Sequence, residues 1–138
     1  MKKLICLACV VAMVALTTLA ASSVRAADET VPTIKAIMKL HKGAKSSLAQ
    51  LKTLLGAGSP DWAEVKKLTK QFDTLGASLP KNEAPKGDQA NFEKLAKAYA
   101  STAHDLDAAA DKEDVVAAKK AVGKIGSSCM ACHKAHKP

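Results

Sequence analysis

The chain has 138 residues and a formal net charge of +8, with 21 Lys and Arg against 13 Asp and Glu. That length holds one domain, and an aromatic content of 3% argues against a β-sandwich or barrel, whose strands favour Val, Ile, Thr and aromatic residues. Alanine, leucine and lysine dominate instead, and all three are strong helix formers.

Met1-Lys2-Lys3 opens the chain with positive charge, and an apolar run follows from Leu4 to Ala21. Ser22 and Ser23 come next, then Val24-Arg25-Ala26, a small-residue cleavage pattern with Ala27 as the new first residue. This is the layout of a secretory signal peptide over residues 1–26, leaving one exported domain over residues 27–138. The expected compartment is the periplasm. An uncleaved anchor is the alternative, because the apolar run nearly spans a bilayer. The small residues after the run favour cleavage, and with it no stable membrane insertion. Without those 26 residues, which hold Lys2, Lys3 and Arg25 and no acid, the charge falls to +5. Cys6 and Cys9 leave with the signal, so the mature chain keeps Cys129 and Cys132 alone. A disulfide across so short a loop would stabilise little, which points to a chemical purpose for the pair.

Four helical stretches follow. The first opens near Pro32 and runs to Leu55, with a seam of Ile34, Ile37, His41, Ala44, Leu48, Leu51 and Leu55 in steps of three and four. Ser59-Pro60 predicts the start of the second, an N-cap followed by proline at the first helical position. Its seam is Trp62, Val65, Leu68, Phe72 and Leu75, and Gly76 to Pro80 ends it. After a polar loop over 81–87, Asp88 caps the third, whose seam is Phe92, Leu95, Tyr99, Ala103 and Leu106. Asp111 is the expected cap of the fourth, with Glu113 and Asp114 complementing the dipole of its first turn. That helix carries Val115, Ala118, Val122, Ile125, Cys129 and Cys132 on its seam. Gly123 and Gly126 inside it suggest either close approach by something bulky or a merely weak helix. The fold class is therefore all-α, an antiparallel four-helix bundle.

Cys129-Met130-Ala131-Cys132-His133 reads C-x-x-C-H, the attachment motif for a c-type haem. Two thiols add across the two vinyl groups of one porphyrin edge, and the following imidazole reaches the iron. Residues three and four apart share a helix face, which suits that demand. Competing readings are a redox dithiol, which expects a neighbouring βαβ pattern that is missing here, and a zinc knot of Cys129, Cys132, His133 and His136.

A signal peptide, four helices and C-x-x-C-H in the last turn of the fourth resemble the class II cytochromes c, the cytochrome c′ family, over essentially the whole mature chain. The resemblance implies one covalent haem c on Cys129 and Cys132, with His133 as the fifth iron ligand. It places the haem near the end of the bundle where the first helix starts and the fourth finishes. The family usually continues two residues past the histidine with an aromatic and then Arg or Lys; here Lys137 matches, while His136 stands in the aromatic's place. His136 is expected to face solvent or pack on the haem edge.

Residues early in the first helix then stand opposite His133. At ~1.5 Å per residue, Met38 lies roughly 9 Å into that helix and His41 roughly 13 Å. Low-spin family members use a methionine at about this place in an Arg-Gln-x-x-Met-Lys segment. Here Met38 and Lys39 match, but Ile34 and Lys35 replace the Arg and Gln. Met38 is thus a candidate sixth ligand or core filler, and His41 the rival ligand. His104, at the far pole, is set aside.

Met38 ligation suits electron transfer, because His/Met coordination raises the reduction potential. An open sixth position instead suits binding of nitric oxide or carbon monoxide. A weaker third reading, peroxidase-type chemistry, would need a distal acid-base residue, and only His41 offers itself. The primary expectation is a monohaem electron carrier with no catalytic residue. All positive side chains past Arg25 are lysines, which recognise phosphate poorly in bidentate fashion, so nucleic acid is not an expected partner. Lys134 and Lys137 could steer acidic redox partners. A homodimer through outer faces of the first helices, using Ile37 or Leu40, is a further expectation from the resemblance.

Overall fold

A computed structural model describes residues 31–138; the expected signal peptide and its cleavage point lie outside the described residues. These residues form five α-helices and no strand: α1 (Ile34–Met38), α2 (Ser47–Gly56), α3 (Trp62–Gly76), α4 (Gln89–Asp111) and α5 (Val115–His136), with a 3-10 turn at Leu79–Lys81. The fold class is as the periodicity indicates, all-α and consistent with a four-helix bundle.

The expected first helix is two pieces. Thr33 caps α1, its Oγ1 accepting from the Ala36 N–H at 3.3 Å. Beyond Met38 the backbone tightens into a turn, with the N–H groups of Leu40 and His41 donating to the carbonyls of Ile37 and Met38. Gly43 takes a φ of 94°, a left-handed conformation that glycine adopts without steric cost. Ser46 then caps α2 through Oγ, which accepts from the Ala49 N–H at 3.3 Å. A positive-φ glycine followed by a new cap outweighs the continuous apolar period. Leu40 and Leu48 stay buried on either side of the break and share a backbone hydrogen bond of 3.0 Å, whereas Ala44 is exposed.

Two caps also move. Asp61 caps α3, its Oδ1 accepting from the N–H groups of Ala63 and Glu64, so the helix starts after Pro60 instead of on it. Asp114 caps α5 through the N–H groups of Val116 and Ala117, and Asp111 is the last residue of α4. The turn between them reverses the chain through Glu113, whose φ is 55°. Asp88 caps α4 as expected, accepting from the Asn91 N–H at 2.7 Å.

α4 packs on both α3 and α5, and α2 packs on α3 and α5. Phe72, Phe92, Leu51, Leu106 and Ile125 are among the fully enclosed side chains between them. α3 and α4 approach closely at Gly76, where an added Cβ would stand 3.1 Å from the Ala103 Cβ. Lys66, early in α3, reaches Glu113 after α4 at 3.0 Å, so these two helices run antiparallel. The start of α1, the connection after α3, the start of α4 and the end of α5 gather at the opposite pole. Ile37 and Leu40, expected as exposed contact positions for a dimer, are instead buried at 0% and 8% exposure, because they anchor the broken first segment to the core.

Candidate functional site

At that pole lies a cleft of about 210 Å³. Ile34 and Met38 reach it from α1, Leu79 and Pro85 from the connection after α3, and Phe92, Leu95 and Tyr99 from α4. α5 contributes Ser128, Cys129, Cys132, His133 and His136. The walls are thus largely apolar, and the thiols and imidazoles come from one helix, with the Met38 thioether facing them from α1.

Cys129 and Cys132 are both half-buried free thiols. Burial pushes both thiols up from their ordinary range, because the interior disfavours the thiolate. Lys52 opposes this at Cys129 without overcoming it. The Cys129 Sγ also lies 3.4 Å from the Ile125 carbonyl one turn back. His133 is exposed at the mouth of the cleft.

The two candidates for the opposite side occupy different places. Met38 lines the cleft with His133. His41 lies deeper, its ring edge-on to Phe72 at 5.3 Å and its Nε2 3.1 Å from the Tyr99 hydroxyl. Burial raises the Tyr99 phenol and holds the His41 imidazole below its ordinary value. The phenol therefore donates and Nε2 accepts, which leaves the proton of the neutral ring on Nδ1. That Nδ1 is buried and makes no hydrogen bond of ordinary geometry among the described residues, although the Ile37 backbone is near enough to favour the imidazolium.

His136 does not face solvent: it is 3% exposed. Its Nδ1–H donates to the Lys86 carbonyl at 2.7 Å, and Nε2 stands 2.9 Å from Asn91 Oδ1. The ring packs edge-on to Phe92. Gly87, at φ 79°, closes over it; a Cβ there would meet the Ala135 carbonyl oxygen at 3.1 Å. His136 thereby ties the last turn of α5 to the loop before α4. Its ring is committed to these contacts, and among the described residues no group of three or more His, Cys, Asp or Glu is arranged to hold a metal ion, which leaves the zinc knot without support. Gly123 and Gly126 have no protein atom within 4 Å of an added Cβ, so the bulky neighbour that their sequence suggested is absent among the described residues. His104 pairs with Asp73 at 3.2 Å on the exposed surface, away from the cleft.

The family model described as Cytochrome C′ matches residues 29–137. The chain belongs to the cytochrome c′ family. No curated protein and no solved structure matches it. Membership makes this cytochrome c′ a haem c protein, with iron as its metal. The residues present fit that group: paired thiols three residues apart and an adjoining imidazole at one helix end border a cleft walled by Leu, Phe, Tyr, Ile and Met. Among the described residues, no helix is long and apolar enough to cross a membrane.

Tyr99, Asn91 and the contacts of His136 are the parts that sequence reading missed. Tyr99 and Phe92 stood on the expected seam of the third helix, and their position in its first half was a usable signal of which pole they serve. Nothing local marks Asn91 as a partner 45 residues from His136.

Proposed function

We propose that this cytochrome c′ is an exported, periplasmic monohaem electron carrier. Cys129 and Cys132 hold the haem through thioethers, His133 supplies the fifth iron ligand and Met38 the sixth. The observation that carries this reading is that Met38 and His133 line one cleft from different helices, whereas His41 is engaged with Tyr99. When bound, the haem supplies a one-electron couple, and His/Met ligation biases it toward a high potential.

The chain's own residues prepare that site. Burial favours the protonated form of both thiols. Leu79, Phe92 and Leu95 form apolar walls that exclude water, and His136 fixes the turn that carries His133. Exposure of His133 and partial exposure of Cys132 leave one edge open to partners, and no side chain is assigned a catalytic step. The partners in this reading are redox proteins, consistent with the preponderance of lysine.

Absorption spectra of oxidised, reduced and carbon monoxide-exposed protein test the assignment. A low-spin spectrum with a methionine-to-iron charge-transfer band is expected, and Met38→Ala should abolish both. A high-spin parent spectrum that shifts with carbon monoxide would overturn the carrier reading in favour of a gas-binding protein. Mass spectrometry of the exported chain should find one haem added to a polypeptide beginning at Ala27.

A further inference from the structure

Charge is divided between two halves of the bundle. Residues 31–60, which carry α1 and α2, hold Lys35, Lys39, Lys42, Lys45 and Lys52 and no Asp or Glu, although Asp28 and Glu29 precede them in the sequence. Residues 115–138, which carry α5, hold Lys119, Lys120, Lys124, Lys134 and Lys137, again without an acid. All ten are exposed. Residues 61–114, by contrast, mix 8 lysines with 11 acids. Every ion pair among the described residues lies in that mixed half, such as Lys66–Glu113 and Lys70–Asp107.

The two acid-free segments are neighbours in space. α2 packs on α5, and α1 meets α5 at the cleft. Lys52 of α2 is near enough to Cys129 of α5 for its charge to act on the thiol. The candidate haem turn therefore belongs to the unmixed, basic half. None of these ten lysines takes part in an ion pair among the described residues.

This face also has an apolar point beside the site. Met130, 75% exposed, lies between Cys129 and Cys132 in sequence. It stands on an outward stripe of α5 with Lys119, Gly123, Ser127 and Lys134, whose steps of three and four keep them on one side. All are exposed. An apolar centre with a charged rim is the anatomy of a protein interface, and a small one suits transient redox encounters.

We infer that the α1–α2–α5 face is a docking surface for an acidic protein, seated over Met130 and held by the surrounding lysines. The inference rests on the electron-carrier reading, since it names the chemistry of that carrier's partner. A second copy of this chain would set ten lysines against ten. A lipid surface favours Trp, Phe or Leu on the inserted face, but Leu48, Leu51 and Leu55 of α2 are buried. An acidic protein surface complements the charge, and a field of one sign speeds its approach.

The test follows oxidation of the ferrous protein by hexacyanoferrate(III), which takes one electron and becomes hexacyanoferrate(II), with poly-L-glutamate as the competitor for the face. At low salt, poly-L-glutamate should slow the parent's oxidation, and salt should remove the effect as screening shortens to about 10 Å near 0.1 M. Lys52→Glu/Lys134→Glu should raise the competitor concentration needed by about tenfold, an effect of the size charge steering can give. Lys67→Glu/Lys112→Glu, with the same change in net charge but on the mixed half, should leave it near the parent value. Equal responses of the two variants would overturn the inference, because net charge alone would then act. So would binding to phosphatidylglycerol vesicles without binding to poly-L-glutamate, or self-association of the parent at low salt. Should the first variant fail to fold, Lys119→Glu/Lys120→Glu replaces it. A parent chain lacking covalent haem defeats the proposed function instead, and calorimetric titration of that chain with poly-L-glutamate still decides the face.

Discussion

Two polar side chains, Asp107 buried and His41 half-buried, show how the poles differ. Asp107, toward the end of α4 and 6% exposed, has both oxygens engaged: Oδ1 accepts from the Thr69 hydroxyl at 2.9 Å and Oδ2 from Lys70 at 3.1 Å. His41, behind the cleft, has one nitrogen engaged with Tyr99, while the other is buried with only the ill-aligned Ile37 backbone near it. An unpaired buried polar atom costs free energy comparable to a lost hydrogen bond. The pole around Asp107 is thus complete with protein groups alone, whereas the pole around His41 keeps an unpaired group, half-buried thiols and an apolar cleft. In the proposed reading, the haem belongs to this less complete pole.

The largest expected effect comes from the residue packed against the His41 ring. Phe72 is 0% exposed and lies against the His41 ring. Phe72→Ala should destabilise the fold by about 3–5 kcal/mol, through lost burial and the cavity left behind, and thermal unfolding followed by circular dichroism measures it. A loss under 1 kcal/mol would mean that the cleft pole collapses to fill the space, and the contrast in packing would then disappear.

Asp107→Ala comes next. It removes the acceptor for Thr69 and the counter-charge for Lys70, and should cost about 1–3 kcal/mol. Because the cleft is built from other residues, haem content and spectrum should not change. A spectral change in this variant would show that the poles are coupled and that the comparison separates them too sharply.

Much of this architecture was legible from residues alone. Steps of three and four name the helices because a helix must bury one stripe, and C-x-x-C-H points to a haem c chemistry because such an attachment motif is local in sequence. The break at Gly43 was hidden, since Leu40 and Leu48 on either side are both buried and the seam continues in sequence though not in space. Asp111 and Asp114 compete within four residues to cap α5, and only the backbone path through Glu113 decides between them. The tie from His41 to Tyr99 spans 58 residues. Such pairs depend on how the helix ends align across the bundle, which no local pattern encodes.

The smallest expected effect lies with His41 and sharpens the contrast through pH. Its folded-state pKa is below the ordinary 6.5 because burial disfavours the imidazolium. The unfolded chain therefore binds a proton that the folded chain resists, and stability rises with pH where the unfolded state holds more protons. The contribution is fully present above about 6.5 and falls as pH drops toward the lower folded value. His41→Gln removes the titration while keeping a polar side chain for the Tyr99 hydroxyl. Urea unfolding of parent and variant between pH 7.5 and 5 should show the parent losing more stability on acidification. The difference should be nearly absent above pH 7. Parallel profiles would mean that His41 titrates as freely as a surface histidine, and the half-buried imidazole that distinguishes the cleft pole would not be real in solution.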